Sequence, residues 1–150
     1  MKNKIKAAVV GLGGMGREHV RAAKDSPWVK GVTGYDSNHR IAEKVAGETG
    51  ISITSSLEKI CEDRNIRIVY IATPNHTHAD IAIKLMKAGK AVLCEKPIAN
   101  TLDEAKKVVA VQKDTKAFLQ IGFELRYSKL YMKVKEWIDK GLVGEIVSTH

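Results

Sequence analysis

The stretch IKAAVVGLGGMG, residues 5–16, decides how this chain folds. Its first half is a short apolar run of the kind found in strands buried on both faces of a parallel sheet. Its second half sets Gly11, Gly13 and Gly16 in the spacing G-x-G-x-x-G, with Leu12, Gly14 and Met15 between them. Glycines occur in every kind of turn, so the spacing alone says little. Its setting gives it meaning, because the residues that follow, up to about Lys24, favour a helix. Between a strand and a helix each glycine has a task. The first permits a tight turn, the second lets backbone amides approach a pyrophosphate, and the third lets helix and strand pack closely. Phosphates would then meet the partly positive N-terminus of the helix.

Outward from this loop, residues 29–35 read as a second strand that ends at Asp36. A carboxylate ~20 residues beyond the last glycine accepts hydrogen bonds from an adenosine ribose and repels a 2′-phosphate. Asp36, with Ser37 beside it, therefore favours NAD over NADP. Asp36-Ser37-Asn38 could equally cap the next helix. The expected elements continue as helix 38–48, a weak strand 51–54, and a short helix capped by Ser55 or Ser56. Then come strand 66–72, helix 76–87, strand 91–94, helix 102–113 capped by Thr101, strand 117–121 and an amphipathic helix 129–139. Strands alternating with helices at short spacing imply an α/β fold, a doubly wound parallel sheet with right-handed crossovers. Residues 144–150 resemble a further strand that such a sheet does not need.

Composition narrows the field. One complete core is within reach of 150 residues. No apolar run approaches the ~20 residues of a membrane helix, and the N-terminal apolar stretch breaks into glycines and charges, unlike a secretory signal. A cytoplasmic location is expected. Cys61 and Cys94 lie far apart, and the pair His76 and His78 lacks further ligands at metal spacing, so no metal site is expected. The net charge of +8 could suit nucleic acid. However, the basic residues are scattered without aromatic interleaving or a helix-turn-helix pattern, so neither nucleic acid nor membrane is expected as a partner.

Two further segments carry candidate chemistry. Ala72-Thr73-Pro74-Asn75-His76-Thr77-His78 lies at the C-terminal end of the most apolar strand, where ligands of open α/β sheets bind. Ala72, Thr73, Pro74, Asn75 and His78 are the expected cofactor contacts there; the alternative is a Pro-Asn turn that merely starts a helix. Glu95 and Lys96 emerge from the next strand on the same edge and are expected cofactor contacts as well. A lysine so placed can hold a substrate hydroxyl or carbonyl as hydrogen-bond donor or proton carrier.

In order along the chain, GLGGMG, Asp36, ATPNHTH, AGKAVLCEKP, QIGFELRYS and GLVGEI resemble the motifs of the Gfo/Idh/MocA oxidoreductases. The resemblance spans essentially the whole chain and implies a Rossmann domain that binds NAD, with NADP the lesser candidate. It implies that Lys96 matches the family's active-site lysine, beside the nicotinamide and in contact with substrate. Arg126 falls on a position that faces the substrate in inositol-dehydrogenase-like members, and the Lys96-Pro97 bond is expected to be cis. Departures occur at Ala91, where the family often has His, and at Arg67, where it often has an acid. Leu125-Arg126-Tyr127-Ser128 stands where inositol-dehydrogenase-like members often have Arg-Arg-Tyr-Asp, which disfavours inositol itself.

The expected organisation is a dinucleotide-binding domain over residues 1–122, a connecting helix over 123–143, and at 144–150 the first strand of a second, truncated α/β domain. The expected activity is hydride transfer to or from a sugar-like or polyol substrate, by a homo-oligomer in the full-length protein. The alternative is a non-catalytic NAD-sensing or regulatory module. Retention of Glu95-Lys96-Pro97 argues against it, because a pure sensor has no need of the lysine.

Overall fold

A computed structural model describes residues 4–148. Six strands form one parallel sheet in the order β3-β2-β1-β4-β5-β6. They are β1 (Ile5–Val10), β2 (Val29–Tyr35), β3 (Ser52–Ile53), β4 (Ile66–Ile71), β5 (Ala91–Cys94) and β6 (Leu119–Ile121). Six α-helices connect or follow them: α1 (Gly14–Asp25), α2 (His39–Thr49), α3 (Leu57–Glu62), α4 (His78–Lys87), α5 (Leu102–Thr115) and α6 (Lys129–Asp139). The doubly wound architecture expected from the alternation is the one observed.

The alternation of β1 splits the core in two. Ala7 and Val9 pack on one face with Val20 and Ala23 of α1 and Ala42 and Val45 of α2. Ala8 and Val10 pack on the other with Ile60 of α3, Leu85 and Met86 of α4, and Val108 of α5. All four β1 residues are fully buried, which is why this strand carries no polar side chain after Lys6: either face would strand it without a partner. The chain turns from β3 at one edge back to β4 beside β1, so the strand order reverses between β1 and β4. Their C-terminal ends open a crevice at that reversal, the place where such sheets bind ligands.

Local chemistry sets the helix ends. Thr101 and Glu104 form a reciprocal capping box at the start of α5, and Ser56, not Ser55, caps α3 by accepting the Lys59 N–H. Three expectations shift. The turn Asn75–Thr77 is a 3-10 helix and α4 begins only at His78. Lys116 adopts a left-handed conformation at the end of α5, so β6 begins at Leu119 and not at 117. A second 3-10 turn, Glu124–Tyr127, was not anticipated.

The strand expected over 144–150 is not formed at residues 144–148, and 149–150 lie outside the described residues. A strand needs a hydrogen-bonding neighbour, and β6, the edge of the sheet, pairs with β5 and not with residues 144–148. The helix α6 has its expected stripe but little to bury it against: Leu130 is 68% exposed, and Trp137 43%.

Candidate functional site

The glycine loop closes the centre of the crevice. Gly11 has φ of 86°, and a side chain on it would place Cβ 2.5 Å from the Ala72 carbonyl oxygen. Only glycine lets the ends of β1 and β4 approach so closely. At Gly16 a Cβ would lie 1.9 Å from the Gly11 carbonyl oxygen, so α1 rests directly on the turn that precedes it. Gly13 differs: nothing lies within 4 Å of its Cβ direction, and its open side belongs to the cleft. Gly13 is also the N-cap of α1, with no side-chain cap and no acidic residue in the first turn. The amides of that turn therefore keep their donor capacity and partial positive charge for an anion.

Asp36 ties the second strand to this loop. Its Oδ2 accepts the Leu12 N–H at 2.8 Å and its Oδ1 accepts the Asn38 N–H at 2.8 Å. The side-chain cap of α2 is Asn38, which accepts from the Arg40 N–H, and not Asp36. Leu12 itself is fully buried and offers only its backbone.

A cleft of about 820 Å³ runs beside the loop, lined by Gly11, Gly13, Asp36, Ser37, Ala72, Thr73 and Pro74 among the expected residues. Its far wall was not foreseen. Tyr35, Ile41, Leu57 and Ile81 make it apolar, and Asn38, Glu58, His76 and Thr77 complete it. A hydrogen bond from Lys84, with lesser backbone and Ser56 contributions, holds the Glu58 carboxyl down at about 2. The four apolar residues come from four separate elements, and no local spacing joins them. Met15 is half-exposed at the start of α1 and Asn75 opens the 3-10 turn; neither they nor Gly14 and Gly16 line the cleft.

His78 requires a correction. It is 1% exposed, with Nδ1 2.7 Å from the Pro97 carbonyl oxygen and Nε2 2.8 Å from that of Thr73. It faces away from the cleft, which His76 lines instead. Residues two apart on a helical turn point to nearly opposite sides, since each residue advances by about 100°. The buried ring staples the loop after β4 to the loop after β5. His78→Ala is expected to remove the ring N–H that one of these buried carbonyls accepts and to cost about 1–3 kcal/mol of stability, read as a lowered denaturant midpoint.

Glu95 also turns from the cleft. Its Oε1 lies 2.8 Å from Nε2 of His19 on α1, and the two side chains are 12% and 16% exposed. Lys96 follows with a cis bond to Pro97, as expected. Its Nζ reaches Oε1 of Glu124 at 3.8 Å, both side chains being more than half exposed. Arg126 lies in the same 3-10 turn as Glu124, its guanidinium 5.0 Å from the Phe123 ring centre. Lys96 and Arg126 are thus linked through Glu124, and neither lines the cleft. Neither Glu124 nor His19 was legible beforehand: each is a lone charged or titratable residue until its partner arrives.

Two other groups are structural. The buried Lys90 donates to the carbonyls of Asp63 and Ile66 at the N-terminal ends of the strands, and burial pushes its pKa down. Burial, aided by Glu95, pushes the Cys94 thiol up to about 12. Among the described residues no cluster of His, Cys, Asp and Glu could hold a metal ion, and no helix is long and apolar enough to cross a membrane.

Residues 5–123 match the model of the oxidoreductase family described as having an NAD-binding Rossmann fold. The chain belongs to the Gfo/Idh/MocA family. Among its members, the inositol 2-dehydrogenase of Rhizobium meliloti is 33% identical over 142 residues, which are 95% of this chain and 43% of that protein. The scyllo-inositol 2-dehydrogenase (NAD(+)) of Bacillus subtilis is 36% identical over 147 residues, 97% of this chain and 43% of its own length. A levoglucosan dehydrogenase solved in complex with NADH and levoglucosan superposes with a TM-score of 0.84 at 32% identity, covering 96% of this chain and 41% of that one. This chain thus spans less than half the length of the Gfo/Idh/MocA relatives it matches.

Proposed function

We propose that this chain is the NAD(H)-binding half of an oxidoreductase that moves a hydride to or from a carbinol carbon of a sugar-like or polyol substrate. The observation that carries the reading is the coupling of Asp36 to the glycine loop. Its carboxylate holds the Leu12 amide while standing on the rim of the cleft. The open side of Gly13 fits a pyrophosphate, Asp36 and Ser37 fit the adenosine ribose, and Tyr35, Ile41, Leu57 and Ile81 fit a planar base. The names of the relatives, inositol and levoglucosan dehydrogenases, supply the substrate class.

When bound, the nicotinamide supplies the hydride chemistry. The chain supplies position. Asp36 and Ser37 at the end of β2 would hold the ribose and the first turn of α1 the pyrophosphate, which leaves Thr73 and the ends of β4 and β5 for the nicotinamide half. Lys96 stands there to hold the reacting oxygen by its ammonium, and Arg126 to orient the substrate. Ser128 replaces the Asp often found in inositol-dehydrogenase-like members, so a sugar or a polyol other than inositol is the proposed substrate. The exposed stripe of α6 and residues 144–150 are proposed to join a second α/β domain. Homo-oligomerisation in the full-length protein and a cytoplasmic location belong to the same proposal.

NAD is expected to bind at least about tenfold more tightly than NADP, because Asp36 would face the added phosphate; one decade is ~1.4 kcal/mol, modest for a like-charge contact. Calorimetric titration of both cofactors measures it. Equal affinities, or a preference for NADP, would remove Asp36 from the role.

A further inference from the structure

The hydrogen bond between His19 and Glu95 joins α1 to the end of β5. His19 lies one turn beyond Gly16 on α1, the helix whose first turn forms the anion cradle. Glu95 directly precedes Lys96, and its backbone N–H is fixed to the Ile71 carbonyl at 2.9 Å. The imidazole stacks on Tyr70 of β4, ring centres 5.3 Å apart and planes 25° from parallel. On its other side the Glu95 carboxylate lies against Gly122, where a Cβ would stand 3.1 Å from Oε1. The carboxylate is thus held between His19 of α1, whose ring rests on β4, and the residue after β6.

A contact this shielded contributes little net stability, because desolvating the carboxylate offsets most of what its hydrogen bond to the ring returns. A positional role explains its burial better. We propose that His19 is a positioning residue: through Glu95 it fixes the end of β5, and so the backbone that presents Lys96 to the nicotinamide half of the site. The inference rests on the proposed NAD(H) reading only for its second part. The first part, that His19 sets the backbone at Lys96, stands without any ligand.

The test uses the whole chain and the variants His19→Leu and His19→Gln, the amide of Gln retaining an N–H for Glu95. In ligand-free protein the backbone amide resonance of Lys96 is followed by NMR. It is expected to shift or broaden in His19→Leu and to return toward its original position in His19→Gln. NADH is then titrated while nicotinamide emission is recorded. Affinity is expected to stay within about threefold, because the adenosine and pyrophosphate contacts lie apart from the pair. The emission gain of bound NADH is expected to be lost in His19→Leu and regained in His19→Gln. A merely stabilising pair would lower the unfolding midpoint and leave both signals in place. An unmoved Lys96 resonance in His19→Leu overturns the proposal whatever NADH does; should that variant fail to fold, a Lys96 amide in His19→Gln left mobile and unlike the parent's does the same. Absence of NADH binding to the parent chain defeats the proposed function instead, and the Lys96 resonance still decides the role of His19.

Discussion

Gly16→Ala is expected to abolish measurable NAD binding and to destabilise the chain by about 3 kcal/mol or more, at the upper end of what overpacking costs. The added methyl would sit 1.9 Å from the Gly11 carbonyl oxygen, well inside van der Waals contact. Neither partner can yield cheaply. The carbonyl belongs to a turn held by the Gly11 N–H on the Tyr35 carbonyl at 2.8 Å, and α1 is anchored by the fully buried Val20 and by Ala23. The helix must lift away, and its N-terminal amides leave the cradle with it. Unfolding midpoints and calorimetry on the variant measure both effects. A folded Gly16→Ala chain that binds NAD like the parent would show that the cradle does not need this contact.

Turnover by these 150 residues is expected to fall roughly 10⁵-fold or more below that of full-length family members, while cofactor binding persists. Everything that fits the dinucleotide lies between Gly11 and Lys96, in one set of βα units. Hydride transfer asks for more: a substrate held in register with the nicotinamide, and a route for its proton. Here the partner of Lys96 is Glu124, and both side chains are more than half exposed to water. Arg126 is in the same open turn. Proximity and orientation are worth ~7–11 kcal/mol of barrier when a cleft closes over its substrate, and an open one forgoes them. Absorbance of reduced cofactor, followed with a panel of sugars, polyols and their keto forms, provides the measurement. Robust turnover would mean that the described residues complete the site by themselves.

The sequence by itself determined the sheet and the cradle, for a physical reason. A strand buried on both faces, as Ala7 to Val10 is, must be apolar throughout, and a turn at φ of 86° against a neighbouring backbone must be glycine. Such demands act on consecutive residues, so they show in the order of letters. Asp36 belonged to the same class in part. Its distance from the loop was legible, but its hold on the Leu12 N–H was not, and the side-chain cap of α2 fell to Asn38.

Tertiary structure alone decided the rest of the site. The apolar wall of the cleft assembles Ile41, Leu57 and Ile81 from three helices, and each reads locally as an ordinary core position. His76 and His78 look interchangeable in the motif, yet helical rotation sends one to the cleft and buries the other between two carbonyls. His19 and Glu95 are 76 positions apart, and Lys96 acquires Glu124 only because β6 runs parallel beside β5. A strand over residues 144–148 was a local expectation that pairing did not support, since an extended segment becomes a strand only when a neighbour accepts its hydrogen bonds.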